Sequence, residues 1–419
     1  MAIDKNMAKK VLKDIDDLFE VVAEPLGEDV KNWLKQAVLG PAIQEVKKFI
    51  EESRPPVIYL VGRSGHGKSS LVNALANKEV VEVGHVAPTT FESTCYTITF
   101  DEAYSTWEIV DSRGLFETTS PDGGPSQDVV EIIKRDLEKY KPDIFLHVIS
   151  APEARNLQND FKVFKEICEQ AEDTLGSVPP SVIILNKIDT LGNPRDWPPE
   201  KSAEKGGLIN DLLKYMIDDV LKIPAEPIDL NYPIKGYRLN DEKYIGIFPV
   251  SSLKNDLWNI ETLSDFIGTS LPESAQLNYY QAQRRKEQLR KICRSHIINR
   301  FAKIAGVIGT SPVPISDIVV LAPLQLLMIA MIGGFSCREF STETAEEFLT
   351  ASTTTLVAGV GLREVARQLV KLVPGAGMVI SGAIAAAGTY AIGRAAEAYF
   401  FSGEIRKPEE FKNEWEEMT

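Results

Sequence analysis

The amino-acid sequence predicts an α/β fold: a doubly wound, mostly parallel sheet with a phosphate-binding loop (P-loop), flanked by N-terminal helices and followed by a C-terminal all-α domain. Three observations predict it. Strand-like and helix-like stretches alternate from residue 57 to 271, as in a sheet wrapped on both faces by helices. The β-forming run 57–61 stops at Gly62, where the spacing Gly-x-x-x-x-Gly-Lys-Ser begins. Beyond Pro272 the pattern is helical throughout. The expected division is an N-terminal helical segment 1–54, a nucleotide-binding α/β domain 55–271, and an apolar helical domain 272–419.

Composition bounds the function. A chain of 419 residues, 44% hydrophobic and 25% charged, can bury a substantial core in two or three domains. A net charge of −14 repels phosphate backbones, so nucleic acid is not an expected partner. Cys95, Cys168, Cys293 and Cys337 form no C-x-x-C pair, which fits reduced thiols rather than a disulfide frame or zinc site. The start, Met1-Ala-Ile-Asp-Lys, lacks the basic-then-apolar order of a signal peptide and has no Gly at position 2 for myristoylation. The expected location is the cytoplasm, with peripheral membrane contact through the C-terminal block.

Each element has its own warrant. Val11, Leu12, Ile15, Leu18, Phe19 and Val22 recur three and four apart, the mark of an amphipathic helix. A second helix is expected over 28–51, broken or kinked at Gly40-Pro41. In the loop after the first strand, Gly62, Gly65 and Gly67 let the backbone of Arg63, Ser64 and His66 wrap with N–H groups pointing at an anion. A helix beginning near Lys68, and running through Ser69 and Ser70, adds its positive dipole end. Lys68 is placed to reach β/γ-phosphates and the Ser69 hydroxyl to ligate Mg²⁺.

A turn-rich loop carrying Thr89 and Thr90, a candidate metal-sensing switch, precedes strands at 95–100 and 107–110. The second strand ends on Asp111-Ser-Arg-Gly114, which puts a carboxylate at the Mg²⁺ shell and a Cβ-free N–H beside a γ-phosphate. The run 143–149 is apolar enough for a strand buried on both faces, with His147 as an interior side chain. A strand at 181–185 runs into Asn186-Lys-Ile-Asp189. Asp189 can accept from guanine N1 and the exocyclic amine, Asn186 can serve the opposite base edge, and the Lys187 stem can pack over the ring. Residues 192–244 form a long Pro-rich connection with one helix at about 207–222, read at its ends as surface loop. A last strand at 245–250 leads to Ser251 and Ser252, where a base-backing loop is expected.

Past Gln281 the sequence predicts a long helix whose basic face, from Arg284 to Lys303, is available to anionic lipid headgroups. Two apolar segments follow, 318–335 and 372–393. Both approach the roughly 20 residues that span a bilayer. Pro323 and Gln325 interrupt the first, so internal packing is expected rather than a pair of spans, the inserted hairpin being the alternative.

With signatures at 62–70, Thr89-Thr90, 111–114, 186–189 and 250–252, the centre of the chain resembles the translation-factor-related G domains of the Era and Der type. The flanks resemble the immunity-related GTPases and their bacterial relatives, and the segments 312–317 and 367–377 are similar to a helical domain of unknown function fused to many bacterial GTPases. The resemblance implies a regulatory or mechanochemical GTPase that hydrolyses GTP to GDP with Mg²⁺. Lys68, Thr90 and Gly114 would act in catalysis, and Ser69, Thr90 and Asp111 at the metal. Leu115 stands where Ras-like proteins carry a water-orienting Gln, which implies slow unaided turnover and a nucleotide-dependent homodimer through the G domain. Gly65 replaces the Asn that is often a cation ligand in potassium-activated relatives. The alternatives are an Era-like ribosome or RNA assembly GTPase and a nucleotide-gated scaffold with negligible turnover.

Overall fold

The computed structural model describes residues 5–79, 93–103, 105–112, 127–155, 157–310, 318–353, 368, 369, 372 and 381–418. The chain divides into two compact units, one of residues 55–99 and 106–279, the other of residues 1–54, 100–105 and 280–419.

The first unit is built on an eight-stranded sheet. Its strands are β1 (Val57–Val61), β2 (Thr94–Phe100), β3 (Ser105–Asp111), β4 (Ile144–Ser150), β5 (Ser181–Asn186), β6 (Ala225–Pro227), β7 (Tyr237–Leu239) and β8 (Tyr244–Pro249). They run in the order β2-β3-β1-β4-β5-β8-β7-β6. β1 pairs in parallel with β3 on one side and β4 on the other, and β4, β5 and β8 continue in parallel. The chain therefore leaves β1 at the switch point of the sheet, where doubly wound folds open a crevice beyond the carboxyl ends of their strands.

Every residue of β1, β4 and β5 is buried, which explains why these strands read as continuous apolar runs rather than alternating ones. On one face Tyr59 and Phe145 pack against Ile133 and Leu137 of the helix Gln127–Tyr140 and against Phe164 and Ile167 of the helix Gln158–Leu175. Further across the same face, Ile183, Leu185 and Ile247 meet Ile209 and Leu213 of the helix Ala203–Lys214. His147 lies inside the first of these clusters: Nδ1 is 3.1 Å from the Tyr244 hydroxyl and the ring stacks on Phe164 at 4.8 Å. Burial, reinforced by His66, lowers its pKa to about 3, as expected for an interior side chain rather than a proton carrier.

Residues 192–244, read from the sequence as loop around one helix, hold two further strands. β6 and β7 add to β8 as an antiparallel hairpin. Pro227 closes β6 on the sheet edge, where a missing N–H breaks no ladder.

The second unit is helical. Helix continues across residues 28–52 despite Gly40-Pro41, because a π-type turn at Lys35–Leu39 takes up the misfit at Gly40, where a Cβ would press on the Lys35 carbonyl. The helix expected from Gln281 opens instead at Lys286, after Arg284 adopts φ +52° and interrupts the preceding helix Glu273–Ala282. The first apolar segment is a turn, Ile318–Leu321, followed by the helix Ala322–Phe335, all of whose residues are buried. That helix packs on the helices Lys5–Ala23, Thr342–Thr353 and Gly382–Glu397. Gln325, the polar interruption, donates to Thr389 Oγ1 at 3.3 Å. Among the described residues no helix is long and apolar enough to cross a membrane. Of the second apolar segment, residues 373–380 lie outside the described residues; the rest begins at Ser381, whose hydroxyl caps Ile384 N at 3.3 Å.

The basic face at 284–303 requires a correction. Arg290 Nε and Arg294 Nη2 both reach Glu397 Oε1 at 2.6 Å, and Arg294 Nε reaches Oε2 at 2.8 Å. Arg300 pairs with Glu45 at 2.5 Å and Arg284 with Glu102. Four of the cations expected to face lipid thus already neutralise carboxylates of their own unit. A guanidinium in such a pair loses most of its pull on a distant headgroup.

Glu397 is fully buried. Burial by itself would raise its pKa, but the hydrogen bonds from Arg294 and Arg290 outweigh it and the net shift is downward. Since the folded-state pKa lies below the ordinary 4.5, the network contributes fully above that ordinary value and is lost as pH falls through the depressed one. Glu397→Ala should destabilise the unit by about 3–5 kcal/mol by stranding the arginines. Glu397→Gln should flatten the acid limb of a stability-versus-pH curve, measured by urea unfolding between neutral pH and the carboxylate range.

Candidate functional site

The phosphate loop is shaped by two collisions. At Gly62, φ +145°, a Cβ would run into the Val148 carbonyl of β4; at Gly67, φ +88°, it would strike the Asn186 side-chain amide. Gly65, φ +80°, is left-handed in open space. The helix Lys68–Ala76 starts directly after Gly67 with no side-chain cap, which leaves the positive end of its dipole at the loop. Ser69 and Ser70 lie on that first turn, half-buried, while Ser64 and Gly65 are exposed at the tip.

Lys68 is buried and preorganised. Its ammonium donates to Gly62 O at 2.7 Å and Arg63 O at 3.2 Å and stands 3.7 Å from Asp111 Oδ1. Asp111, also buried, ends β3 in register with Leu60 of β1, and the Ser112 hydroxyl donates to Leu60 O at 2.6 Å. Two contacts that the sequence does not announce brace the loop from outside. Arg63 binds Asp160 Oδ1 through Nε at 2.7 Å and Nη2 at 2.6 Å, and the burial of Asp160 pushes its pKa up against that pairing. His66, buried, places Nδ1 3.1 Å from Val148 O and Nε2 3.4 Å from Glu153 Oε2. Thr89, Thr90, Gly114 and Leu115 lie outside the described residues.

The second half of the site grows from β5 and β8. Asn186 ends β5 with its amide nitrogen donating to His66 O at 3.0 Å and Gly67 O at 3.3 Å, while Ser252 Oγ donates to its Oδ1 at 2.9 Å. The sequence places this side chain at a base edge; in the structure all three bonds tie the phosphate loop to the loops at 186–189 and 250–252. Lys187 is left-handed, φ +64°, its carbonyl accepting from Thr190 Oγ1 at 2.7 Å, and its stem passes beside Gly67. Asp189 sits half-buried on the turn Ile188–Thr190. Ser251 is fully buried in a two-way backbone pairing with Trp258, at 3.2 and 3.0 Å. A buried lysine outside every motif, Lys205, donates to the carbonyls that follow Asp189.

Residues 62–70, Asp111, 186–189 and 251–252 therefore meet at the carboxyl ends of β1, β3, β5 and β8. The chemistry of this set fits a nucleotide: an N–H-lined loop and an ammonium for phosphates, a hydroxyl and a carboxylate for a divalent cation, and a turn bearing one carboxylate for a base with two adjacent N–H donors. Fold and loop define the class as a P-loop α/β domain.

The comparisons agree. Residues 57–187 match the family model described as 50S ribosome-binding GTPase, and residues 273–414 match a domain of unknown function, DUF697. The central region is similar in sequence to GTPases of the Der and MnmE kind. GTPase Der of Maridesulfovibrio salexigens is 32% identical over 35% of this chain and 30% of its own length. The tRNA modification GTPase MnmE of Aquifex aeolicus is 29% identical over 46% of this chain and 38% of its own. The chain thus spans well under half the length of these curated relatives. Among solved structures, Aquifex aeolicus Era bound to GDP and AlF4⁻ is 22% identical over 52% of this chain and 57% of that one, with a TM-score of 0.33.

Because a Cβ at residue 67 meets the Asn186 amide rather than open space, Gly67→Ala should disrupt phosphate and base loops together. The expected result in calorimetric titration is loss of nucleotide binding by at least about 100-fold, since left-handed backbone strain and the displaced amide each cost about 1–3 kcal/mol. Gly65→Ala, strained but unobstructed, should retain more affinity.

Proposed function

We propose that this protein binds GTP and hydrolyses it to GDP and phosphate with Mg²⁺, and that its helical regions respond to the nucleotide state. The observation that carries the reading is Asn186, which fixes the phosphate loop and the base-reading turn as one piece. Lys68 neutralises β/γ-phosphate charge, and the backbone of Gly62, Arg63, Ser64, Gly65, His66 and Gly67, with Ser70 on the following turn, surrounds the phosphates. Ser69 and Asp111, with Thr90 (or Thr89), would hold Mg²⁺, and Gly114 would contact the γ-phosphate. Mg²⁺, when bound, would supply positive charge that offsets the charge of the phosphates. Asp189 selects guanine, Lys187 packs over the ring, and Ser251 and Ser252 support the base from behind.

The finer reading is a regulatory or mechanochemical GTPase of the immunity-related type, working as a nucleotide-dependent homodimer and touching membranes peripherally. Leu115 supports the dimer, because a site without its own water-orienting side chain needs a group from elsewhere. The net charge of −14 weighs against the RNA work that the relatives' names state. Membrane contact through the arginines of 284–303 would compete with the carboxylates they already pair with.

Phosphate release from GTP tests the core reading. The parent should turn over slowly, and Lys68→Ala should fall to background; GTP turnover by Lys68→Ala at the parental rate would overturn it. Asp189→Asn should shift preference from GTP toward xanthosine triphosphate by orders of magnitude, because the swapped donor and acceptor mismatch guanine. For the dimer, light scattering should give a doubled mass with a non-hydrolysable GTP analogue and not with GDP, and specific activity should rise with protein concentration.

A further inference from the structure

Lys205 stands in the first turn of the helix Ala203–Lys214, where the helix dipole opposes a positive charge. The Ser202 hydroxyl caps that turn by accepting from Lys205 N at 3.2 Å, so the backbone needs nothing from the lysine side chain. Yet the side chain is almost wholly buried. Its ammonium donates to Asp189 O at 2.8 Å, to Asn193 O at 3.3 Å and to Leu191 O. It also lies 6.0 Å from the centre of the Trp197 ring. These three hydrogen bonds all go to main-chain carbonyls, and those carbonyls belong to the segment that begins at the base-reading residue itself.

An ammonium has three donors and no acceptor, so three converging carbonyls satisfy it completely. The same bonds fix where residues 189–193 lie. The other main-chain ties of the turn Ile188–Thr190 are Ile188 N to Val250 O at 3.3 Å, Thr190 N to Lys187 O at 3.1 Å and Leu191 N to Ile188 O at 3.1 Å, and Ile188 is buried in the core, while the lysine holds the carbonyls with which the chain leaves the turn. Asp189 is only half-buried, and a carboxylate that must meet two adjacent N–H groups at hydrogen-bond distance cannot drift with a loose turn. Burial lowers the lysine's pKa, partly countered by Asp189 and Asp196, as for a cation held by dipoles.

We infer that Lys205 is a positioning residue for base recognition: by binding the carbonyls of Asp189, Leu191 and Asn193 it holds the Asp189 carboxylate in the geometry that distinguishes guanine from purines lacking the 2-amino group. This rests on the proposal above that Asp189 reads guanine. Lys205 touches neither base nor phosphate in this role; it acts through the turn.

The test is the ratio of GDP to IDP affinity for the full-length protein by isothermal titration, since inosine differs from guanine only by the amine that Asp189 receives. The parent should prefer GDP. Lys205→Met, which keeps the stem and removes the donors, should lower the ratio about tenfold, the scale of one charge-assisted hydrogen bond. In an Asp189→Ala background, where the ratio has already collapsed, Lys205→Met should change it no further. A loss of stability alone would weaken GDP and IDP together and leave the ratio intact. Should Lys205→Met not fold, Lys205→Arg replaces it, because a planar guanidinium cannot direct one nitrogen at three carbonyls; a partial fall in the ratio is expected. A parent that prefers GDP alongside a lysine variant with the parental ratio would overturn the role of Lys205. A parent without preference for GDP would overturn the guanine reading and this inference with it.

Discussion

The site depends on one buried amide. Asn186 has no freedom: its nitrogen is shared by the carbonyls of His66 and Gly67, and its oxygen accepts from Ser252. Each bond is modest in isolation, but all three are buried, and a buried amide without its partners costs more than the bonds contribute. Three loops that are far apart in sequence are thereby locked to one side chain at the end of β5. The requirement for Gly at residue 67 follows from the same contact, because the space a Cβ would use belongs to that amide. Phosphate binding and base reading can then be precise together, since neither loop moves without the other.

Two buried lysines show how this domain handles positive charge. Lys68 and Lys205 both lie at the beginning of a helix, where the dipole disfavours them, and both direct their ammonium at main-chain carbonyls. Around Lys205 the carbonyls carry a partial negative charge fixed by the fold and need no second ion to be desolvated, whereas Lys68 has the buried Asp111 carboxylate 3.7 Å away as well. In Lys68 the arrangement also aims the charge into the loop that awaits phosphate. In Lys205 it organises a turn.

The helical unit solves the opposite problem. Its central helix Ala322–Phe335 has no polar face, so it has to be surrounded, and helices from both ends of the chain do so. Gln325 is accommodated through Thr389, and Glu397 through the guanidinium groups of Arg290 and Arg294. The apolar run that suggests lipid and the basic face that suggests headgroups thus find much of their complement inside the same unit.

Much of this was legible in the residues. Strand runs, loop glycines and the order of the motifs are local patterns, and local sterics and hydrogen-bonding capacity determine them, so the α/β fold and the placement of residues 62–70, Asp111 and 186–189 at strand ends could be read directly. The hairpin β6–β7 was not legible, because three-residue strands carry no periodicity and exist only when β8 offers an edge. Nor was the unbroken helix across Gly40-Pro41, which depends on a π-type turn that no propensity scale encodes. Partner choice is likewise invisible in one dimension: Arg290 reads as a solvated cation until Glu397, more than a hundred residues away, is folded against it, and Lys205 falls in what reads as surface loop ahead of the helix expected at about 207–222. The sequence by itself determined the class of ligand, because the types and spacing of phosphate- and base-contacting groups are set over a few bonds of backbone. Only the tertiary structure decided which charges are free to meet a partner and which side chains hold the loops in place, because those depend on groups that approach through space.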